Sequence, residues 1–221
     1  MSPQVGADLV GAGFPISNPY TALLGGSTNV TSPNTPARSN LEWFGLASGT
    51  STTLPASSGA ATVVAVPVTP GLTITNVKVL VTATAASVPT HSWAAVYAGT
   101  GSAPALVAQG TDATSTAIGA NAFYNFTFGT PLVITNVSTV APNGFVYVAL
   151  GVTATTLPTV LTVAGPATAA WFTPLYTTSP NTSPPLFFSA TFGSSQAGTA
   201  PTTITSASNA TSAAIPVVWL T

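Results

Sequence analysis

Charge is what this sequence has least of. Charged residues make up 2% of its 221 positions, against about 25% in a typical soluble domain. The ionic side chains are Asp8, Arg38, Glu42, Lys78 and Asp112, with a single histidine, His91. Two cations cannot form a basic patch, so a strong electrostatic hold on nucleic acid is excluded, and an anionic membrane surface is an equally poor partner. Cysteine is absent, which excludes a disulfide framework, thiolate zinc sites and cysteine catalysis. No run of about 18 apolar residues occurs, so no helix is expected to span a membrane. Residues 1–5 lack a basic segment followed by a continuous apolar one, so no signal peptide is expected. No glycine-rich phosphate-binding loop of either common pattern is present.

The same shortage removes most catalysis. Asp8 and Glu42 lie in irregular sequence and Asp112 in a Gly-Thr-Asp turn, where an Asx-turn role is the expectation. A glycosidase would need two of these carboxylates at a set separation. A Ser-His-Asp triad could be assembled from His91, Asp112 and some serine, but no Gly-x-Ser-x-Gly elbow supports it. His91 reads instead as an exposed or hydrogen-bonded histidine at the start of a strand. One histidine, no cysteine and scattered carboxylates cannot build a side-chain metal site, and no cofactor is expected. The chain is therefore read as a structural or binding protein and not an enzyme. A surface with so little charge favours association, so a subunit packed in an assembly fits better than a free, concentrated monomer.

What is present is β-forming. Gly (19) and Pro (20) interrupt the chain too often for long helices. Thr and Val dominate the rest, and their branched Cβ packs well on a pleated surface. Strands are expected at 61–68, 72–84, 91–98, 104–109, 123–128, 132–137, 145–152, 159–163, 167–172, 186–192 and 215–220. Val77, Val79 and Val81 share one face; Trp93, Ala95 and Tyr97 share another; Tyr124, Phe126 and Phe128 alternate with Asn125 and Thr127. Residues 145–152 are apolar at every position, which marks a central strand. About ten strands at this spacing read as an all-β sandwich or barrel. The segments 72–77 (LTITNV) and 132–137 (LVITNV) echo each other and are expected to mark equivalent strand starts.

Residues 1–58 differ, being rich in Gly, Ser, Thr and Pro with isolated apolar groups. They are expected to form an extended arm ahead of a sandwich at 59–221, either docked on a neighbouring subunit with Phe14, Tyr20, Leu23, Trp43 and Phe44 as anchors or wrapped around its own domain. Five Asn-x-Ser/Thr triplets, at Asn29, Asn125, Asn136, Asn181 and Asn209, are attributed to the abundance of Ser and Thr. Trp93, Tyr97, Trp171, Phe172, Tyr176, Phe187, Phe188 and Trp219 could stack on sugar rings if exposed, although aromatics in strands usually serve the core. Tyr176, in a proline-flanked loop, is the candidate for ligand contact.

A stretch over about 72–163 carries a resemblance. TNVKVLVT at 75–82 is followed by WAAVYA at 93–98, ALVAQ at 105–109, PLVI at 131–134, NGFVYVAL at 143–150 and LPT at 157–159. This order resembles β-sandwich domains in virion proteins of tailed phages infecting actinobacteria, especially minor tail proteins. The resemblance implies a jelly-roll-like sandwich with no catalytic residues, made in the host cytoplasm and built into a virion. It also implies other virion proteins as partners and contact with host cell-surface glycan; a homo-oligomer such as a trimer would hide apolar edges and offset the lack of charge. A capsid decoration protein and a free carbohydrate-binding module are the alternatives.

Overall fold

The computed structural model describes residues 38–40, 49–98, 104–135, 144–164, 189–192, 196–204, 209–211 and 214–221. Among them there is no helix. The strands are β1 (Arg38–Ser39), β2 (Gly49–Thr53), β3 (Ala61–Pro67), β4 (Thr73–Val81), β5 (His91–Ala98), β6 (Ala105–Gln109), β7 (Ala122–Val133), β8 (Phe145–Thr153), β9 (Thr159–Ala164), β10 (Ser189–Phe192), β11 (Asn209–Thr211), β12 (Ala214–Pro216) and β13 (Val218–Leu220). They form two antiparallel sheets, packed as a β-sandwich. Sheet B has the order β11-β10-β3-β8-β5-β6. In sheet A, β4 pairs with β7 on one side and with β13 on the other; β13 continues to β1, while β9 pairs with β2 and β12.

The core follows from the two-residue period of the strands. Val77, Val79, Val81 and Phe126 of sheet A face Val64, Val66, Ala94, Val96, Val146, Val148 and Leu150 of sheet B, all at most 3% exposed. The alternate residues of sheet B are buried as well. Val63, Ala65, Trp93, Ala95, Tyr97, Phe145, Tyr147 and Ala149 form a second apolar layer with Ala200 and Ile204. β8 is thus buried on both faces between β3 and β5, as its unbroken apolar run implies.

Part of that outer layer is covered by residues 196–204, which run as a strap held by main-chain carbonyls. Trp93 Nε1 donates to Ala197 O (2.6 Å), Gln109 Nε2 to Gly198 O (2.7 Å) and Tyr97 Oη to Pro201 O (2.8 Å). Leu106 N donates to Thr202 O and Ile204 N to Pro104 O, which closes the free edge of β6. Tyr97 and Tyr147 are at most 1% exposed. Burial pushes both phenols well above the ordinary tyrosine range. A folded-state pKa raised above the unfolded value of about 10 gives stability that is complete below that pH and lost as pH rises above it. Chemical denaturation at pH 9, 10 and 11 is expected to show stability falling only above pH 10, by up to about 1.4 kcal/mol per pH unit for each tyrosine. For Tyr97→Phe the slope is expected to fall by half.

β12 and β13 form one path with a break. Pro216 has no N–H and cannot continue the ladder with β9. Val217 N still reaches Leu161 O, and from Val218 onward the chain pairs with β4 instead. Asn40, fully buried, spans the break: its Nδ2 donates to Pro216 O (2.7 Å) and its Oδ1 accepts from Val218 N (2.9 Å).

Two expectations change here. β1 and β2 come from the stretch assigned to the arm: Arg38–Ser39 pairs with β13, Gly49–Thr53 pairs with β9, and Leu54 enters the core. The chain divides into two compact units, Met1–Pro36 and Ala37–Thr221, and β1 and β2 belong to the second. The echoed segments are not equivalent strand starts. Thr73 pairs with Val133 and Ile74 with Leu132, and Ile134 N donates to Leu72 O, so they lie antiparallel beside each other. The register then slips, Ile74 facing Leu132 and Asn76 facing Thr127, so residues 128–131 bulge from β7 and Phe128 turns into the core.

Candidate functional site

Among the described residues the ionisable side chains, tyrosines apart, are Arg38, Lys78, His91 and Asp112. His91 opens β5, and Asp112 lies in the connection from β6 to β7. His91 Nδ1 meets Asp112 Oδ2 at 2.6 Å, while Asp112 Oδ1 accepts from Ser92 N at 3.0 Å. Asp112 therefore does not close an Asx-turn on its own segment. Its carboxylate reaches back to β5 because a strand-end N–H and an imidazole are better partners for a half-buried charge than solvent. Ser92, fully buried, donates its hydroxyl to Ala113 O (3.1 Å), which leaves the Tyr124 hydroxyl as donor to Ser92 Oγ (2.9 Å).

The pair has the orientation of a histidine–carboxylate relay, and no nucleophile is paired with it among the described residues. Among the described residues nothing is hydrogen-bonded to His91 Nε2, and the adjacent hydroxyl, that of Ser92, is committed elsewhere. The strap also crowds it. A methyl at Gly198 would overlap Asp112 Oδ2 and sit 2.9 Å from His91 Nδ1. The arrangement ties β5, the 110–113 turn and the strap together. No group of three His, Cys, Asp or Glu side chains that could hold a metal ion exists among the described residues.

A different surface combines aromatic and polar groups. On the outer face of sheet A, Trp219 of β13 stands opposite Lys78 of β4, and Lys78 opposite Asn125 of β7, in one cross-strand row. In the next row Leu80 faces Phe123. The Phe123 and Trp219 rings meet edge to face, with centroids 5.3 Å apart and planes at 80°. Phe123 is 57% exposed. These side chains, with Thr221, line a recess of about 320 Å³. A second hollow, between β6 and β7, is lined by Val107, Gln109, Thr130 and Pro131 among others, with no charged group.

Of the aromatic residues considered for ring stacking, Trp93 and Tyr97 are core residues and Trp219 is partly buried, packed against the core. Trp171, Phe172, Tyr176, Phe187 and Phe188 lie outside the described residues. So do the proposed docking anchors Phe14, Tyr20, Leu23, Trp43 and Phe44. Phe123 was not among the candidates, although the alternation of Tyr124, Phe126 and Phe128 with Asn125 and Thr127 puts it on the outward face. The structure bears this out, with Phe123 57% exposed and Phe126 at 3%. No protein-family model and no curated protein sequence matches the chain.

Proposed function

We propose that the protein is a structural component of a bacteriophage virion, a minor tail protein of the tail tip or fibre, docked by its N-terminal arm and in contact with host surface glycan. One observation carries the reading. Residues 113–221 contain no Asp, Glu, Lys, Arg or His at all. A polypeptide of that length without a titratable charge relies on burial against neighbours for colloidal stability. The likeness of residues 72–163 to phage tail sandwiches supports the same conclusion, as does a β-sandwich whose His–Asp pair serves as a tie between elements. Residues 1–36, a unit of their own apart from Ala37–Thr221, then do the docking. Such a subunit works within a homo-oligomer and among other virion proteins.

The test is to purify the phage particles that carry this chain, identify it by mass spectrometry and locate it by immunogold electron microscopy. Label at the tail end is expected, and loss of label when residues 1–36 are deleted. Label over the capsid overturns the tail assignment. Absence from particles while the protein accumulates in the cell overturns the virion reading.

A further inference from the structure

We infer that the outer face of sheet A, at Trp219, Phe123, Lys78 and Asn125, is a binding site for a pyranose that carries a carboxylate. The inference deepens the glycan-contact part of the proposed function and rests on that reading only for the source of the sugar.

Three observations converge. The first is where the rings are. The sandwich buries Trp93, Tyr97 and Tyr147 to 1% exposure or less, yet leaves Phe123 57% exposed beside Trp219, which is partly buried against the core and shows its remaining surface at the same place. Two large rings left at one place on a sheet mark a surface with a partner. Standing at 80° to each other they form a corner, which suits a puckered ring with an apolar face and a polar rim. The second is rigidity. Trp219, Lys78 and Asn125 sit in register on three adjacent strands, so the backbone sets their spacing before any ligand arrives. The third is charge. Lys78 has no ion pair among the described residues, and Asp112 is committed to His91. Among the described residues no carboxylate side chain is paired with this ammonium at the recess.

These features select the ligand class. Aromatic walls with a few convergent polar groups are the usual composition of small-molecule sites, and about 320 Å³ is at the lower end of their range, room for one sugar unit. The Asn125 amide both donates and accepts, as ring hydroxyls require. A single ammonium matches a monoanionic carboxylate, whereas a phosphate would call for several donors or an arginine fork. A protein partner is a poorer fit, because a stable interface needs about 800 Å² from each side and the recess is a local feature of five residues.

The experiment uses the full chain and saturation-transfer NMR with methyl β-D-glucuronide and methyl β-D-glucoside. The glucuronide is expected to bind in the millimolar range, about fivefold more tightly than the glucoside, as suits one exposed ion pair. Lys78→Met is expected to reduce the glucuronide to the level of the glucoside, and Lys78→Arg to retain the preference. Trp219→Ala is expected to abolish binding of both. Phe123→Ala, at a more exposed position, is expected to weaken both and provides a variant whose folding is not in question. Equal binding of the two sugars, unchanged binding by Phe123→Ala and Trp219→Ala, or no binding at about 50 mM overturns the inference. So does loss of self-association in Trp219→Ala without any sugar bound, which would make the face an interface between copies. A protein located at the tail but blind to the glucuronide refutes this site alone. Binding by a protein absent from particles refutes the virion reading alone.

Discussion

Trp93→Ala is expected to lower the unfolding free energy by about 3–5 kcal/mol, the range for deleting a fully buried large aromatic side chain. Trp93 is 0% exposed, packs in the outer layer of sheet B, and anchors the strap through its bond to Ala197 O. Its loss opens a cavity and releases one end of residues 196–204. The partner of this prediction is Gly151. Gly151 faces Trp93 across β8 and β5, and a methyl there would overlap the indole, within 2.5 Å of Cζ2 and 2.8 Å of Nε1. The indole cannot step aside without breaking its bond to the strap. Gly151→Ala is therefore expected to cost about 1–3 kcal/mol, although alanine in a strand interior is ordinarily favoured over glycine by about 0.5–1 kcal/mol. In the Trp93→Ala background the same substitution is expected to become neutral or stabilising. Equilibrium denaturation of the four proteins in this cycle measures the coupling. An unchanged cost of Gly151→Ala in both backgrounds would show that something other than the indole excludes the methyl.

Asn40→Ala is the second large effect, about 2–4 kcal/mol. The side chain satisfies two buried main-chain groups at once, Pro216 C=O and Val218 N–H, on either side of Val217. Both belong to the point where the last strand path changes partner, so neither can find a ladder bond of its own. Each buried group left unpaired costs about 1–3 kcal/mol. Asn40→Asp is expected to be worse than alanine, because it keeps the acceptor, loses the donor to Pro216 and buries a charge. Thermal melts of the two variants give the order, and Asn40→Asp more stable than Asn40→Ala would show that the Pro216 bond is not what matters.

Much of the sandwich was legible because its strands obey a two-residue period with unambiguous faces. His91–Ala98 is a case: Ala94 and Val96 face one layer, Trp93, Ala95 and Tyr97 the other. The central place of β8 followed from its lack of any polar position. β2 was hidden because Gly49–Thr53, a polar run pairing along β9, shows no apolar alternation to read. Asn40 was hidden because one amide bridging Pro216 and Val218 leaves no pattern in sequence. The strap was hidden for a related reason, since 196–204 docks largely through carbonyl oxygens, which every residue has. His91 and Asp112 were recognised as the scarce polar groups, but their meeting is a tertiary event, and the sequence suggested a local turn instead. The row of Trp219, Lys78 and Asn125 depends on the pairing of three strands spread over residues 78–219, which spacing along the chain does not reveal.

The wedge formed by β12 and β13 has a consequence for biosynthesis. β4 and β9 meet at one end, where Val81 pairs with Val160 and Thr82 and Thr84 bond to Thr159, and the space between their other ends is filled by residues 214–220. A nascent chain that has exposed β4 and β9 still lacks the segment that fills the gap between their diverging ends. Sheet A can therefore be completed only after residue 220 has left the ribosome, and until then its apolar face stays open to chaperones and to neighbouring nascent copies.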